Sequence, residues 1–386
     1  MTNDAPLLVD VSRLVWRRWA GTRATGIDRI CLAWMKHYAS QAQAVLVSRR
    51  GQAILSTAAS QALFRLLSEP DGTQGFRLRL AGLLVRHGTM LAANLPGRGR
   101  VWLNAGHTGL DVDGLSGWCR RTNVRPIYLV HDLIPITHPQ FCRDGEEARH
   151  RRRIHTMLTT GAGIVANSRH TLETTAAFAA NEGLELPSAV VAWPGTQSLT
   201  PSVAETPSPP VFVILGTIEG RKNHLLLFRV WERLWQRHGP GAPQLLVIGR
   251  RGWQAKEALG WLDARPCGDR VVEAGPVDDE TISAHLGTAR ALLFPSFAEG
   301  FGMPMVEALA AGLPVIASDL PVFHEIGQGV PDLLPPDHAD GWERVIMDYA
   351  ENDSRSRAAQ MHRLSYFETP DWQGHFKQVD ALIAAV

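Results

Sequence analysis

Two carboxylates, Glu299 and Glu307, flank the start of a short helix in the segment 294–319, FPSFAEGFGMPMVEALAAGLPVIASD, with seven residues between them. An apolar run at 291–294 reads as a buried strand, and the glycine-rich turn Glu299-Gly300-Phe301-Gly302 comes after it. Pro304 stands near the first helical position and Gly312 just past the last, where helices favour those residues. A second apolar run, 314–317, returns to a sheet. A glycine turn feeding a helix N-terminus binds anions, because free backbone N–H groups and the helix dipole both face the ligand. A carboxylate beside such a site suits a polyol, since it accepts two hydrogen bonds from a vicinal diol. Phosphate and diol together describe a nucleotide, a sugar phosphate, or both.

A second constellation is Gly216-Thr217-Ile218-Glu219-Gly220-Arg221-Lys222-Asn223, between the apolar run 211–215 and a helical stripe of Leu227, Val230, Trp231 and Leu234. Arg221 and Lys222 at a strand's carboxyl end suit a diphosphate, the Arg as a planar fork and the Lys as a point charge. Alone, the pair also reads as a solvated surface turn. Combined with the 299–312 segment on a neighbouring strand end, it reads as a diphosphate site. His131-Asp132 directly follows the apolar run 127–130 and is placed for a site, with a buried, loop-capping histidine as the alternative. The turn 21–29, GTRATGIDR, lets backbone approach a ligand but does not match GxGxxG, so an ordinary βα loop is its alternative. Asn104 to His107 ends another strand and either lines the cleft or only turns the chain. Ser168 reads as a helix N-cap. The histidines show no ligand spacing, so no metal is expected.

These side chains need strand ends to hold them. Short apolar runs recur at 7–11, 44–47, 101–103, 126–130, 163–166 and 189–192, then at 211–215, 245–248, 271–274, 291–294 and 315–317. Uninterrupted rather than alternating runs predict strands covered on both faces, hence parallel sheets with crossover helices. A chain of 386 residues suggests two domains. The proline-rich stretch 199–210 reads as the linker between a first domain, 1–198, and a second, 211–365. A C-terminal helix within 366–386 is expected to pack back on the first domain. The expected architecture is α/β, two doubly wound domains facing a cleft, with ligand at the carboxyl ends of the strands.

Composition narrows the class. Hydrophobic content of 45% and charged content of 20% describe a soluble globular protein, and a net charge of +1 gives no reason to invoke nucleic acid. Cys31, Cys119, Cys142 and Cys267 form no CxxC pair, which suits a reducing cytosol. The N-terminus does not read as a signal peptide, and no run of about 18 uncharged apolar residues occurs. The stretch 76–91, FRLRLAGLLVRHGTML, mixes Arg77, Arg79 and Arg86 with leucines. It reads as a solvated helix with one buried face, or as a segment lying on an anionic membrane surface.

Taken together, these residues resemble the retaining glycosyltransferases of the GT-B fold, family 4 (glycosyl transferases group 1), among them bacterial polysaccharide mannosyltransferases. The motifs that carry the resemblance are GTIEGRKN (216–223), PSFAEGFGMPMVEALAAGLPVIASD (295–319) and the segment leading into it, with HDLIP, VANSRHT and VVAWPG extending it into the first domain. The resemblance covers most of 125–330. It implies two Rossmann-like domains facing a cleft. It implies that Glu299 faces the donor sugar hydroxyls and Glu307 the ribose diol. Backbone N–H groups from Gly300, Phe301, Gly302 and Met303 would hold the donor sugar or its phosphate. Arg221 and Lys222 match the basic pair on the diphosphate, with Gly216 opening their loop. His131 matches a histidine at the reaction centre, and Gly26 a glycine-rich loop near the diphosphate. Three positions depart from the pattern: the N-terminal loop lacks a glycine pair, Pro194-Gly195 stands for an asparagine-glycine, and Thr217 stands where relatives carry an arginine.

The implied activity is retaining transfer of a hexose from a nucleoside-diphosphate sugar, GDP-mannose first and a UDP-hexose second, to a glycan or lipid-linked acceptor in surface polysaccharide synthesis. Such transfer is described as front-face substitution, in which the leaving diphosphate accepts the acceptor's proton. Arg221, Lys222 and the helix N-terminus would stabilise the leaving charge, so no metal or other cofactor is expected. Glu299 as a glycosidase nucleophile lacks a partner acid. The rivals are a sugar-nucleotide epimerase or glycogen-type synthase on the same fold, and a non-catalytic partner that binds nucleotide sugar. The expected location is cytoplasmic, with peripheral contact at the inner membrane face.

Overall fold

The computed structural model describes residues 6–22, 24–48, 51–70, 75–91, 99–196 and 208–386. Residues 199–207 of the proline-rich stretch 199–210 lie outside the described residues, as does Arg23 of the 21–29 turn. The first sheet comprises β1 (Leu7–Asp10), β2 (Ala42–Ser48), β3 (Gly51–Ile54), β4 (Val101–Asn104), β5 (Arg125–Val130), β6 (Gly163–Ala166) and β7 (Ser188–Val191). Its order is β3-β2-β1-β4-β5-β6-β7, parallel throughout except for the β2–β3 hairpin. The second sheet comprises β8 (Val211–Leu215), β9 (Gln244–Ile248), β10 (Val271–Gly275), β11 (Ala291–Phe294), β12 (Val315–Ser318) and β13 (Asp332–Leu334). Its order is β10-β9-β8-β11-β12-β13, all parallel.

Successive strand residues supply opposite layers, which is why the apolar runs are unbroken. In the first sheet Val9, Leu103 and Ile127 enter one core while Leu8, Trp102 and Tyr128 enter the other. In the second, Phe212, Ile214 and Leu245 face one layer and Val213, Leu246 and Leu292 the opposite one. The expected runs correspond to strands, but β3 and β13 carry no such run. Both are edge strands of four and three residues, GQAI and DLL, too short and too polar to stand out as a run.

Both sheets reverse strand order in the middle. In the second, the chain winds outward from β8 to β10 and then returns to lay β11 against β8. In the first, β4 returns to lie against β1. A reversal separates two neighbouring loops at the carboxyl edge and opens a crevice there, the usual ligand position of such sheets. The loop after β8 holds Arg221 and Lys222, and the loop after β11 holds Glu299.

The helix Trp372–Ala385 crosses back to the first domain. Its Phe376, Val379 and Leu382 join the core that contains Leu7, Leu103 and Val165. Trp34 donates its indole N–H to His375 Nε2 at 2.8 Å, and Tyr38 donates to Asp380 at 2.8 Å. Burial pushes His375 down to about 4, so its ring is neutral and Nε2 is free to accept.

The basic stretch forms the helix Phe76–Leu91. Phe76 and Leu80 are buried, whereas Leu78 and Val85 stand exposed. Arg79 pairs with Glu69, and Arg77 lies over the Trp19 ring at 5.5 Å. Among the described residues no helix is long and apolar enough to cross a membrane.

Candidate active site

The loop after β8 turns at Gly216, whose φ of +146° is costly for other residues. It then makes a single 3-10 turn, Gly220–Lys222, and Asn223 in the left-handed region starts the helix His224–His238. This geometry aims Arg221 and Lys222 back toward β11. Lys222 Nζ lies 2.5 Å from Glu299 Oε1, and Arg221 lies 2.8 Å from Glu299 Oε2. Ser296 donates to Glu299 Oε1 at 2.8 Å. Arg221 also pairs with Glu219 at 2.7 Å and donates to the Ala298 carbonyl at 2.7 Å. Lys222 Nζ stands 4.6 Å over the Phe294 ring.

The electrostatics follow from that crowding. Burial favours a neutral Glu299, but Arg221, Lys222 and the hydrogen bonds from Lys222 and Ser296 outweigh it and hold the carboxyl at about 2. Burial alone would lower Arg221; Glu299, Glu219 and Asp132 reverse this and raise it. Lys222 stays below its ordinary value, because burial and the neighbouring Arg221 oppose its charge more than Glu299 supports it. A buried pair of cations thus shares one ionised carboxylate. Lys has three donors and Arg five, so both can keep Glu299 and still reach the oxygens of an anion.

The turn Glu299-Gly300-Phe301-Gly302 presses its backbone against the first domain. A Cβ on Gly300 would collide with the His131 carbonyl oxygen and come within 2.7 Å of Asp132 Cβ. Across the same seam Ser168 and Thr171 donate their hydroxyls to the Gly300 carbonyl at 2.8 and 3.1 Å. Gly302, at φ +98°, starts the helix Met303–Ala310. Phe301 is buried in the second domain's core.

His131 follows β5 and is buried. Its Nε2 meets the Ala105 carbonyl at 2.7 Å and therefore carries the hydrogen. Burial pushes it down to about 4, so the ring is neutral near pH 7. Beside it stands His107, at φ +58° with its ring 4.8 Å away, and His150 stands beyond His107. Burial and the two neighbouring histidines hold His107 well below its ordinary value. Asn104 turns this loop by accepting from the Gly106 and His107 backbone N–H groups. A cavity of about 160 Å³ opens in front, between Asp132, His138 and His170 of the first domain and Phe297, Glu299 and Gly300 of the second.

Glu307 lies elsewhere in the cleft. It is buried one turn inside the helix Met303–Ala310, with Arg29 of the helix Gly26–Tyr38 at 2.9 Å. Gly26 at the start of that helix has Met303 as its nearest neighbour, 3.8 Å from where a Cβ would stand. The structure therefore groups the sequence-derived residues in two sets. Gly216, Arg221, Lys222, Glu299, Gly300 and His131 surround one end, while Gly26, Met303 and Glu307 mark the other.

Several site residues escaped the sequence reading. Arg29 was only part of a turn, and Ser168 was read only as an N-cap, a role it also fills by accepting from Thr171 N–H. Glu325 had no signal at all. Its carboxylate accepts from Arg169 and His170 backbone N–H at 2.7 and 3.1 Å and from the Trp193 indole at 2.8 Å. A second-domain side chain thus caps a first-domain helix, Arg169–Asn181. Among the described residues no group of three or more His, Cys, Asp or Glu is placed to hold a metal.

Comparison with known proteins bears on the family of the second domain and on the fold. The family model of glycosyl transferases group 1 matches residues 209–352. The chain is 30% identical over 222 residues to the serotype-specific mannosyltransferase WbdA of Escherichia coli, covering 52% of this chain and 27% of WbdA. It is 29% identical over 160 residues to the O-antigen chain mannosyltransferase B of Escherichia coli, covering 41% of this chain and 42% of the relative. The chain thus spans about a quarter of WbdA's length. Among solved structures, Anabaena HepE in complex with UDP and glucose superposes with a TM-score of 0.65 at 14% identity, covering 99% of this chain and 100% of HepE. Sucrose-phosphate synthase from Thermosynechococcus elongatus superposes with a TM-score of 0.64 at 17% identity, over 99% and 98%. The second domain is therefore a glycosyltransferase domain of group 1, and the chain carries it on the GT-B fold.

Proposed function

We propose that this chain is a retaining glycosyltransferase that moves a hexose from a nucleoside-diphosphate sugar to a saccharide acceptor in surface polysaccharide synthesis. The observation that carries the reading is the ionised Lys222–Glu299–Arg221 cluster, at a strand-order reversal and next to the Gly300 turn that meets the His131 carbonyl across the cleft. In the step proposed, the bond from the sugar's anomeric carbon to the diphosphate oxygen breaks. The acceptor oxygen bonds to that carbon on the same face, and its proton passes to the departing phosphate oxygen. The leaving group gains negative charge as this happens. Arg221 and Lys222 are preorganised to meet it, and held cations in a buried site stabilise such charge far better than water does. Glu299 orients both cations and offers its oxygens to donor hydroxyls. His131, neutral and fixed by the Ala105 carbonyl, faces the sugar. No metal is assigned a role in this reading, and full activity in a chelator is the expected result.

The mannosyltransferase relatives support a mannose donor, with GDP-mannose as the first choice. The complex of HepE with UDP and glucose supports a UDP-hexose as the second. A donor panel separates them: thermal shift reports binding, and product analysis reports transfer. The expected result is one donor that both stabilises the protein and extends an acceptor glycan. Release of an epimerised sugar nucleotide would instead favour the epimerase rival, and stabilisation without turnover the non-catalytic partner. The reading includes a cytoplasmic location and a lipid-linked acceptor, and also peripheral membrane contact, which Leu78 and Val85, exposed on the helix that carries Arg77, support. Flotation with anionic vesicles tests that contact; L78D and V85D should abolish it.

A further inference from the structure

The two domains are tied ionically at the Glu307 end of the cleft as well. Arg29, in the first turn of the helix Gly26–Tyr38, reaches across with both guanidinium arms. One donates to Glu307 Oε1 at 2.9 Å and the other to Asp279 at 2.5 Å. Glu307 Oε2 takes no hydrogen bond among the described residues. The helix Met303–Ala310 that carries Glu307 has no other charged residue. The cation that meets Glu307 comes from a first-domain helix: Arg29, with Lys36 and His37 of the same helix lining the same cavity of about 450 Å³. Trp372 and Phe376 of the C-terminal helix line its remaining wall without charge. The facing anion is Asp279, at the start of the helix Asp279–Thr288. Burial pushes the Glu307 carboxyl up, and Asp279 adds to this. Arg29 opposes both without restoring the ordinary value.

We propose that Arg29 is a positioning residue for the donor nucleoside: acting through Glu307, it fixes that carboxylate by Oε1 and leaves Oε2 unpaired on the cavity, so that a ribose diol meets an oriented acceptor only when the first domain is closed on the second. The inference rests on the reading of Glu307 as the ribose acceptor. The chemistry behind it is simple. A carboxylate has about four lone-pair sites, so Glu307 can keep Arg29 on Oε1 and still accept from both hydroxyls of a diol, whereas protonation turns one of its oxygens into a donor. Within its own domain Glu307 has burial and Asp279, both of which favour the protonated form. The countercharge arrives only across the cleft. Nucleoside affinity and domain closure are therefore linked, and whichever is favoured strengthens the other.

The test is titration of UDP and GDP, and of their 2′,3′-dideoxy analogues, into the whole chain and its R29A, R29K and E307A variants between about pH 6 and about pH 9. R29A should weaken the parent nucleotides about tenfold at the acid end, the worth of one charge-assisted hydrogen bond, and recover as pH rises and Glu307 ionises unaided. R29K should retain most of the affinity, and the dideoxy analogues should not respond to R29A. Equal or tighter binding by R29A at every pH overturns the inference. So does an equal loss for the dideoxy analogues, which would put Arg29 on the phosphates. If E307A leaves nucleotide affinity unchanged, the ribose reading itself fails. If E307A weakens binding while R29A does not, only the role of Arg29 fails.

Discussion

Glu299 and Glu307 belong to one loop-and-helix segment, and both are buried, yet they are held in opposite ways. Glu299 is surrounded by donors from its own domain, Arg221, Lys222 and Ser296, and its carboxyl is held at about 2. Glu307 has its countercharge in the other domain and stays above its ordinary value. The charge cluster at the first end exists in the second domain alone. The second end is finished only when Arg29 arrives. In the proposed reaction this divides the labour: the leaving-group site is preorganised, while recognition of the nucleoside depends on closure. The Gly300 turn joins the two ends, because its backbone is the point where the second domain touches His131 and Asp132.

The sharpest way to break the contrast is at the preorganised end. K222A should lower kcat by about two to three orders of magnitude, the typical effect of removing one preorganised group that meets developing charge. Its melting temperature should change little, since Arg221 still pairs with Glu299. Normal turnover in K222A would remove the cluster from the chemistry. The next largest effect is expected at the seam. G300A inserts a methyl group into the His131 carbonyl and should hold the domains apart, costing about a hundredfold in kcat through misplacement. Unchanged activity in G300A would show that contact to be dispensable.

A third comparison separates the carboxylates by stability. E299Q leaves the buried Lys222 without a carboxylate partner, while Arg221 keeps Glu219, and should cost about 3 kcal/mol in denaturant titration. E307Q should cost less, because the one cation it leaves, Arg29, keeps its pair with Asp279. Equal losses would erase the distinction drawn between them.

A last comparison concerns pH. His131 is pushed down from 6.5 to about 4 and His224 to about 3, both mainly by burial. The unfolded chain therefore takes up these protons first, and stability falls as pH drops from about 6.5 toward 4, by about 3 kcal/mol for His131 alone. Glu299 acts at still lower pH: its contribution is present above the ordinary glutamate value of 4.5 and lost as pH falls through about 2. Asp10, raised by burial to about 7, works the other way and loses its contribution as pH climbs from 3.8 to about 7. The histidines outnumber it, so the urea midpoint should fall between about pH 6.5 and 4. A midpoint that stays level over that range would contradict the buried neutral histidines.

Most of the fold was legible because each central strand is covered on both faces and so announces itself as an unbroken apolar run. The strands β3 and β13, four and three residues with Gly, Gln or Asp among them, are too short and too polar to show such a run. The glycine turns and basic pair were legible for a related reason: a loop at a strand's carboxyl end is a local feature, written in consecutive residues. Arg29, Glu325 and the hydroxyls of Ser168 and Thr171 were not. Each acts on a group more than a hundred residues away, and nothing in its own neighbourhood marks it.

By itself, the sequence determined which loops bear charge and glycine and that two doubly wound sheets present them, because strand burial and turn conformation are set by neighbouring residues. The tertiary structure alone decided what each charge meets. It put Lys222 on Glu299 from 77 positions away and Arg29 on Glu307 from 278 positions away. The ionisation of a buried carboxylate depends on the distance in space to its countercharge and on the water removed around it, and neither quantity is written along the chain.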